Sequence, residues 1–289
     1  MPEGHVLHRL ARQLNAEFRS GPVEVTSPQG RFSREASLID GSRLTHASAH
    51  GKHLFLSFGD DPGADPAGDP GCNHGGHPGG QPTDSRVVYI HLGLIGSLRF
   101  EPADAAWGQM RLHISNGETA ANLRGPQKCE LMTPGEAAAI VDKSGFDPIV
   151  DVAPPEKLWE RVHRSKRTIG SQLMDQKLFA GVGNIYRAEV LFRRGIDPAL
   201  PGNQLDRAQF DAVWHDLAEL MAYGVNHGRI DTVRPEHTPE AMGRNPRKDD
   251  HGGEVYVYRR AGDPCYICGT PIETKVLEGR KLYWCPGCQ

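Results

Sequence analysis

The sequence of 289 residues contains no run of about 18 apolar residues, the length that a membrane-spanning helix requires. Charged side chains stand near the amino terminus, where a secretion signal would have an apolar segment. A chain of this length can form one large or two medium domains with substantial cores. We therefore expect a soluble, cytoplasmic protein that has no membrane partner.

The sequence also lacks an excess of positive charge, since its formal net charge is -3. This average argues mildly against a nucleic-acid partner, but the charge is unevenly distributed. Residues 60–85 contain five aspartates and no lysine or arginine, and without this segment the remainder carries +2. Residues 161–194 carry eight basic side chains against two acidic ones. This basic segment is either a solvated helix surface or a surface for a polyanion.

Cysteines are few, and four of the six lie in the last 25 residues. In a cytoplasmic chain this crowding favours a metal site over disulfides. Cys265, Cys268, Cys285 and Cys288 form a C-x2-C-x16-C-x2-C pattern, the spacing of a zinc site with four thiolate ligands. A redox or disulfide role is the alternative, although thioredoxin-like C-x-x-C pairs occur singly in βαβ units.

The amino terminus reads MPEGHVLHR, and apolar residues at helical spacing follow as far as Phe18. Removal of Met1 would leave Pro2 as a secondary amine beside Glu3. Such an amine can condense with an aldehyde to an iminium, and an α-amino group with a pKa near ~8 is partly neutral at pH 7. The alternative is an ordinary helix start, where proline is favoured.

Short apolar runs separated by Gly, Pro and Asn follow the first helix, and they predict a mainly antiparallel β layer or sandwich. The predicted strands are Val23–Val25, Leu54–Phe58, Val87–Leu92, Gly96–Phe100 and Met110–Ile114, and Lys52 stands at the start of the second. The Gly/Pro/Asp-rich residues 60–85 predict a flexible insertion. We expect an amino-terminal β-sandwich domain over residues 1–150.

Beyond the prolines near residue 150 the pattern becomes helical, with predicted helices at 156–165, 168–178, 184–194 and 206–227. The sequence FAGVGN forms a glycine turn that leads into Asn184. Backbone N–H groups at such a turn bind phosphate readily, and the alternative is a helix corner that serves packing only. We expect a helical domain over 151–255, ending in a long loop, and a zinc-finger hairpin over 256–289 with Arg280 at its tip.

Five motifs together resemble the formamidopyrimidine-DNA glycosylase/endonuclease VIII family, most closely its actinobacterial endonuclease VIII type. They are PEG-H-x-x-H-R, GKHL, HLGLIG, LMDQKLFAGVGNIYRAEVLF and CxxCG…GRKLYWCPGCQ, in that order. The resemblance implies an α+β fold: an antiparallel β-sandwich domain with flanking helices, then a helical domain with a helix–two-turn–helix element and a zinc-finger β-hairpin. It also implies a base-excision-repair DNA glycosylase with AP lyase activity, one structural zinc ion, a monomer, and damaged double-stranded DNA as partner at the nucleoid.

The resemblance assigns roles to individual residues. Pro2 matches the Schiff-base nucleophile, Glu3 matches the acid/base, and Lys52 matches a lysine that grips phosphate near the lesion. Asn184 and Arg280 match further phosphate contacts. Leu94 falls where the family inserts an apolar wedge into the base stack.

Substrate choice is the point on which the sequence departs from the purine-specific branch of the family. That branch has an Arg-Phe pair on a later loop, whereas NLRGPQKCE offers Arg124 and no phenylalanine. We therefore expect removal of oxidised pyrimidines followed by β,δ-elimination. The alternatives are oxidised-purine specificity, a non-catalytic zinc-finger DNA-binding protein, and a zinc-containing RNA-binding protein.

Overall fold

The computed structural model describes residues 2–59, 86–105, 107–151, 153–248 and 253–289. Met1 and the predicted insertion at 60–85 lie outside these residues. Among the helices in the described ranges, none is long and apolar enough to span a membrane. Contacts divide the chain into two compact units. The first consists of Pro2 with Leu7–Asp142, and the second of Glu3–Val6 with Lys143–Gln289.

The first helix, α1 (Gly4–Phe18), confirms the predicted amphipathic helix. Its apolar face buries Leu7, Leu14 and Phe18 almost completely. Asn15 connects α1 to the backbone of Ala47. Its side chain forms two hydrogen bonds with that backbone, at 2.7 and 2.8 Å.

The first unit contains two four-stranded antiparallel sheets, which confirms the predicted β class. The strand order is β1-β6-β7-β5 in one sheet and β2-β3-β4-β8 in the other. The strands are β1 (Glu24–Thr26), β2 (Arg43–His50), β3 (His53–Gly59), β4 (Arg86–His91), β5 (Ser97–Pro102), β6 (Leu112–Ser115), β7 (Thr119–Arg124) and β8 (Lys128–Met132). Two short helices accompany them, α2 (Ser33–Ala36) and α3 (Pro134–Asp142).

Strands β3 and β4 are buried on both faces, which explains their almost continuous apolar sequence. One face completely buries residues such as Leu54 and Leu56. The other face carries Phe55 and Tyr89, which pack against α3.

The second unit is helical and ends in a β-hairpin, as expected. Its helices are α4 (Glu156–His163), α5 (Ile169–Gln172), α6 (Asn184–Arg193), α7 (Arg207–His227) and α8 (Pro239–Met242). The hairpin pairs β9 (Glu273–Leu277) with β10 (Arg280–Trp284). Single 3-10 turns lie at Gly202–Gln204 and Pro235–His237.

The expected helix at 168–178 is wrong in length, since α5 has only four residues. After it, Asp175 stops the chain from continuing as a helix. Its side chain accepts a hydrogen bond from the backbone N–H of Lys177 at 3.0 Å, which competes with helical bonding. By contrast, α7 matches its prediction because a capping box of Asp206 and Gln209 begins it and left-handed Gly228 ends it.

Candidate active site and metal centre

Glu3 lies at the amino end of α6 and is only 2% exposed. Its carboxylate accepts backbone hydrogen bonds from Gly183 at 2.9 Å and Ile185 at 2.8 Å, with a longer one from Tyr186 at 3.4 Å. The positive end of the α6 dipole lies at the same position and favours negative charge there. The site therefore holds a desolvated carboxyl group in one orientation.

The glycine turn before α6 makes room for Glu3. A Cβ atom on Gly183 would lie 2.3 Å from the Glu3 carboxyl carbon, so only glycine allows this approach. Gly4 N–H also donates to the Gly181 carbonyl at 2.9 Å. This bond holds the backbone next to Glu3 against the glycine turn. Three amides at this helix start therefore donate to Glu3, and a phosphate contact by the turn stays a prediction.

Pro2 is half-buried and precedes this carboxylate in the chain. The structure places Pro2 with the first unit and Glu3 with the second. Pro2 is the candidate nucleophile and Glu3 the candidate acid/base, and one peptide bond joins them.

Lys52 lies at the tip of the β2–β3 hairpin, where Gly51 adopts the left-handed conformation with φ 56°. The ring of His53 lies 5.5 Å from that of His91, and its Nδ1 lies 2.8 Å from the Tyr89 hydroxyl. Burial, and then the neighbouring His91, lowers the pKa of His53 to about 4. Burial, followed by the charge of Lys52, also lowers the pKa of His91. Lys52 thus stands beside two histidines that are neutral at pH 7.

The turn between β4 and β5 exposes two large apolar side chains, Leu94 at 62% and Ile95 at 87%. Glycines fix the shape of this turn. A Cβ on Gly96 would lie 2.2 Å from the Leu92 carbonyl oxygen, and Gly93 has φ 71°. Such exposure suits an apolar wedge, and the structure adds Ile95 to the candidate that the sequence indicated.

Arg124 ends β7, and its guanidinium is engaged within the first unit. It pairs with Glu101 at 2.7 Å, donates to the Trp107 carbonyl and lies 4.3 Å from the centre of the Trp107 ring. Only 12% of its side chain is exposed. A DNA contact by Arg124 therefore stays a prediction, and the described contacts are structural.

Asn184 begins α6, beside the amides that hold Glu3. Its Nδ2 donates to the carbonyl of Lys281 in β10 at 2.9 Å, and its Oδ1 accepts a hydrogen bond from Arg187. The fully buried Arg187 also donates to the Lys281 carbonyl, at 3.3 Å. Burial lowers the pKa of Arg187 to about 10, and nearby Glu3 opposes that shift. Hydrogen bonds therefore connect the start of α6 to the hairpin that carries Arg280.

Arg187 was not among the candidate residues, because one more basic residue in a basic helix is ordinary. Its apolar neighbours in IYRAEVLF were the available signal, since they place position 187 on a buried helix.

The four cysteine sulfurs of the hairpin region lie within 4.8 Å of one another. The Cys265 and Cys288 sulfurs are 3.8 Å apart, and those of Cys268 and Cys285 are 3.4 Å apart. Tetrahedral coordination at the usual Zn–S distance requires roughly 3.8 Å between sulfurs. The four thiols therefore fit a structural metal ion as its complete ligand set.

Three family models match the chain. The formamidopyrimidine-DNA glycosylase N-terminal domain matches residues 1–128, the H2TH domain of the same enzyme matches 145–234, and the "zinc finger found in FPG and IleRS" matches 262–289. The last of these covers all four cysteines.

Curated relatives match over the full length. Endonuclease 8 1 of Mycobacterium tuberculosis is 44% identical over 299 aligned residues, which cover 100% of both chains. Endonuclease 8 of Escherichia coli is 26% identical with the same coverage. A solved complex of the Lactococcus lactis formamidopyrimidine-DNA glycosylase with abasic-site DNA has the same fold, with a TM-score of 0.75, 22% identity and 99% of each chain covered. The chain therefore belongs to the formamidopyrimidine-DNA glycosylase/endonuclease VIII family of DNA glycosylases and AP lyases.

Proposed function

We propose that this protein excises oxidised bases from double-stranded DNA, pyrimidines in preference to purines, and cuts the strand by β,δ-elimination through a Schiff base on Pro2. The observation that carries the proposal is the buried Glu3 carboxylate, directly after Pro2 and held by three backbone N–H groups. A secondary amine beside a fixed carboxyl group supplies a nucleophile and a proton carrier.

The reaction begins when the Pro2 nitrogen attacks C1′ of the damaged nucleotide and the base leaves with the electrons of the glycosidic bond. Opening of the sugar ring, assisted by proton transfer involving Glu3, gives an iminium between Pro2 and C1′. The iminium makes the C2′ proton acidic, so its removal expels the 3′ phosphate. A second elimination expels the 5′ phosphate and leaves a one-nucleotide gap with phosphate at both ends. Water then hydrolyses the iminium, which releases the unsaturated sugar aldehyde and restores the Pro2 amine.

This chemistry requires processing of the amino terminus. While Met1 is attached, Pro2 is a tertiary amide whose nitrogen lone pair is delocalised. Removal of Met1 generates the nucleophile, and an intact-mass measurement of the purified protein checks it.

Binding of the DNA backbone is assigned to Lys52, Asn184 and Arg280. Lys52 projects from a hairpin tip, and Arg280 follows the turn of the β9–β10 hairpin. Asn184 uses one Nδ2 hydrogen for the Lys281 carbonyl, and its second can donate to a phosphate oxygen. Together these contacts would help to rotate the lesion out of the stack, which costs a few kcal/mol. Leu94 would fill the space left in the duplex.

One zinc ion is assigned to the four cysteines, with a structural role. Bound zinc would cross-link the two C-x2-C segments and hold the hairpin that presents Arg280. We assign a monomer that acts in the cytoplasm on DNA of the nucleoid.

The preference for pyrimidines rests on the loop that contains Arg124. It lacks the Arg-Phe pair of the purine-specific branch, and Arg124 pairs with Glu101. Curated relatives of both kinds match this chain, since a formamidopyrimidine-DNA glycosylase of Prochlorococcus marinus is 36% identical over 54% of it. Oxidised-purine excision is therefore the alternative outcome.

A lesion panel tests the proposal. Duplexes containing an oxidised pyrimidine, a ring-opened purine, 8-oxoguanine or an abasic site are incubated with the processed protein. Released base and strand ends are then measured together. We expect fastest release of the oxidised pyrimidine and phosphate at both ends of the gap. Faster release of the purines would reverse the assigned preference, and binding without product would leave a DNA-binding protein only.

A further inference from the structure

The β9–β10 hairpin turns at Glu278 and Gly279, and both residues have positive φ, 49° and 74°. A two-residue turn of this kind favours Asn-Gly, because asparagine tolerates the left-handed conformation far better than glutamate does. A glutamate at this position is therefore an outlier whose explanation lies outside the turn itself.

The Glu278 side chain reaches an arginine 111 positions earlier in the chain. Arg167 Nη2 lies 3.1 and 3.4 Å from the two carboxylate oxygens of Glu278. Arg167 Nη1 lies 2.8 Å from Asp175. The guanidinium therefore bridges a carboxylate before α6 and a carboxylate on the hairpin turn.

Arg167 is itself held in place by hydrogen bonds to its backbone. Its carbonyl oxygen accepts hydrogen bonds from the Gly202 N–H and from the Gln172 side chain, each at 2.9 Å. Its pKa is raised, chiefly by the hydrogen bond to Asp175, so it stays charged. The turn is thus tied to a well-packed part of the helical unit.

Arg280 lies between two attachment points of the hairpin. On one side, Glu278 is held by Arg167. On the other side, the Lys281 carbonyl is held by Asn184 at 2.9 Å. The hairpin is consequently held two residues before Arg280 and one residue after it.

Stability does not explain the Arg167–Glu278 pair. The two side chains are 46% and 48% exposed, and ion pairs of such exposure contribute little. Charge does not explain it either, because a carboxylate two residues from a phosphate-binding arginine repels DNA.

We propose that Glu278 and Arg167 are positioning residues that hold the hairpin turn so that Arg280 meets the DNA backbone already oriented. The proposal rests on the role assigned to Arg280 under the proposed function. Pre-orientation reduces the ordering cost of binding and so offsets the repulsion by the Glu278 carboxylate.

The test is the binding of Glu278→Asn to a non-cleavable duplex that contains a tetrahydrofuran abasic-site analogue. Asparagine suits the turn and removes one negative charge, so simple electrostatics predicts tighter binding. Positioning predicts the opposite, a Kd raised roughly threefold to tenfold. On a cleavable duplex we expect the same rise in KM, with kcat within about twofold of wild type and an unchanged melting temperature.

The matched control is Glu273→Asn, which removes the same charge from an exposed position of the same hairpin. We expect it to bind at least as tightly as the wild type. A double mutant of Arg167→Met and Glu278→Asn should bind no more weakly than Arg167→Met alone, because both changes break one contact. The proposal is overturned if Glu278→Asn binds DNA as tightly as Glu273→Asn does. It is also overturned if the increases in Kd of the two single mutants multiply in the double mutant.

Failure of the proposed function is separately visible. It would appear as a wild-type protein that forms no covalent adduct with abasic-site DNA under borohydride, whatever the binding cycle gives. Unchanged binding by Arg280→Gln would remove the phosphate role of Arg280, and the positioning role with it.

Discussion

Two glutamates of the second unit, Glu3 and Glu189, are almost completely buried, and three backbone N–H groups hold each carboxylate. Glu189 receives the amides of Tyr256, Val257 and Tyr258 at 2.7 to 2.9 Å and also the Thr232 hydroxyl. It therefore ties α6 to the segment that leads into the zinc finger.

The two sites differ in what adjoins them. Glu3 follows a residue that can become a nucleophilic amine, whereas Glu189 lies within a helix among hydrophobic neighbours. Burial and amide hydrogen bonds thus do not by themselves identify a catalytic carboxylate. The adjacent Pro2 makes Glu3 the candidate, and experiments can distinguish the two glutamates.

The largest expected effect is on chemistry at Glu3. Glu3→Gln should lower the single-turnover rate of strand cleavage roughly 10²- to 10⁴-fold, because glutamine cannot carry the proton. Glu189→Gln is the control, and its folded fraction should cleave within about tenfold of the wild-type rate. Similar losses in both variants would show that Glu3 acts only through structure.

The second expected effect is on stability at Glu189. Each oxygen of Glu189 accepts two hydrogen bonds. In Glu189→Gln the side-chain NH2 group therefore faces two hydrogen-bond donors, whichever way the amide is oriented. In Glu3, by contrast, one of the three amide bonds is long, at 3.4 Å from Tyr186. Urea denaturation should show a loss of about 2–4 kcal/mol for Glu189→Gln and about 1–2 kcal/mol for Glu3→Gln. The reverse order would contradict this account of the two sites.

Loss of the metal should weaken DNA binding rather than slow the chemistry. We expect one zinc per chain in the wild type and none in Cys268→Ser. Its KM should rise roughly tenfold to a hundredfold as the hairpin loses the Arg280 contact. Cys129→Ser, in the first unit, is the control and should keep its zinc. A zinc-free Cys268→Ser with wild-type kinetics would show that the metal has no role in presenting Arg280.

The smallest expected effect is a pH dependence in the first unit, where burial keeps His53 neutral. The folded pKa of His53, about 4, lies below its ordinary value of 6.5. Between these values the unfolded chain binds the extra proton, so stability falls as the pH falls. Between pH 7 and pH 5 the loss should be about 1–2 kcal/mol.

His53→Phe should flatten that dependence while keeping the ring stacked on Phe55 and Tyr89. His46→Phe, on neighbouring β2, is the control. An equally steep pH dependence in His53→Phe would exclude His53 as its source.

Local patterns sufficed where a short stretch of sequence determines the structure. The C-x2-C pairs brought four sulfurs together, and helical periodicity placed α1, α6 and α7 within a residue or two. Strands β2, β7 and β8 were missed, the first two because RLTHASAH and TAANLR are rich in Thr, Ser, Ala and Asn. Their burial comes from neighbouring strands.

The backbone amides that bind Glu3 could not be predicted from sequence, since they lie 180 or more positions from it in the chain. The bridge from Arg167 to Glu278 spans 111 positions and was hidden for the same reason. Sequence indicated the candidate catalytic residues, and the structure added the groups that contact Glu3 and Glu278.

The most direct test of the central claim is to locate the covalent adduct. The processed protein is treated with abasic-site DNA and borohydride, digested, and its peptides are mapped by mass spectrometry. We predict that the reduced sugar remnant is attached to the amine of Pro2 and that Glu3→Gln forms less of it at equal DNA binding. Attachment to Lys52 or to another lysine, with Pro2 unmodified, would contradict the account.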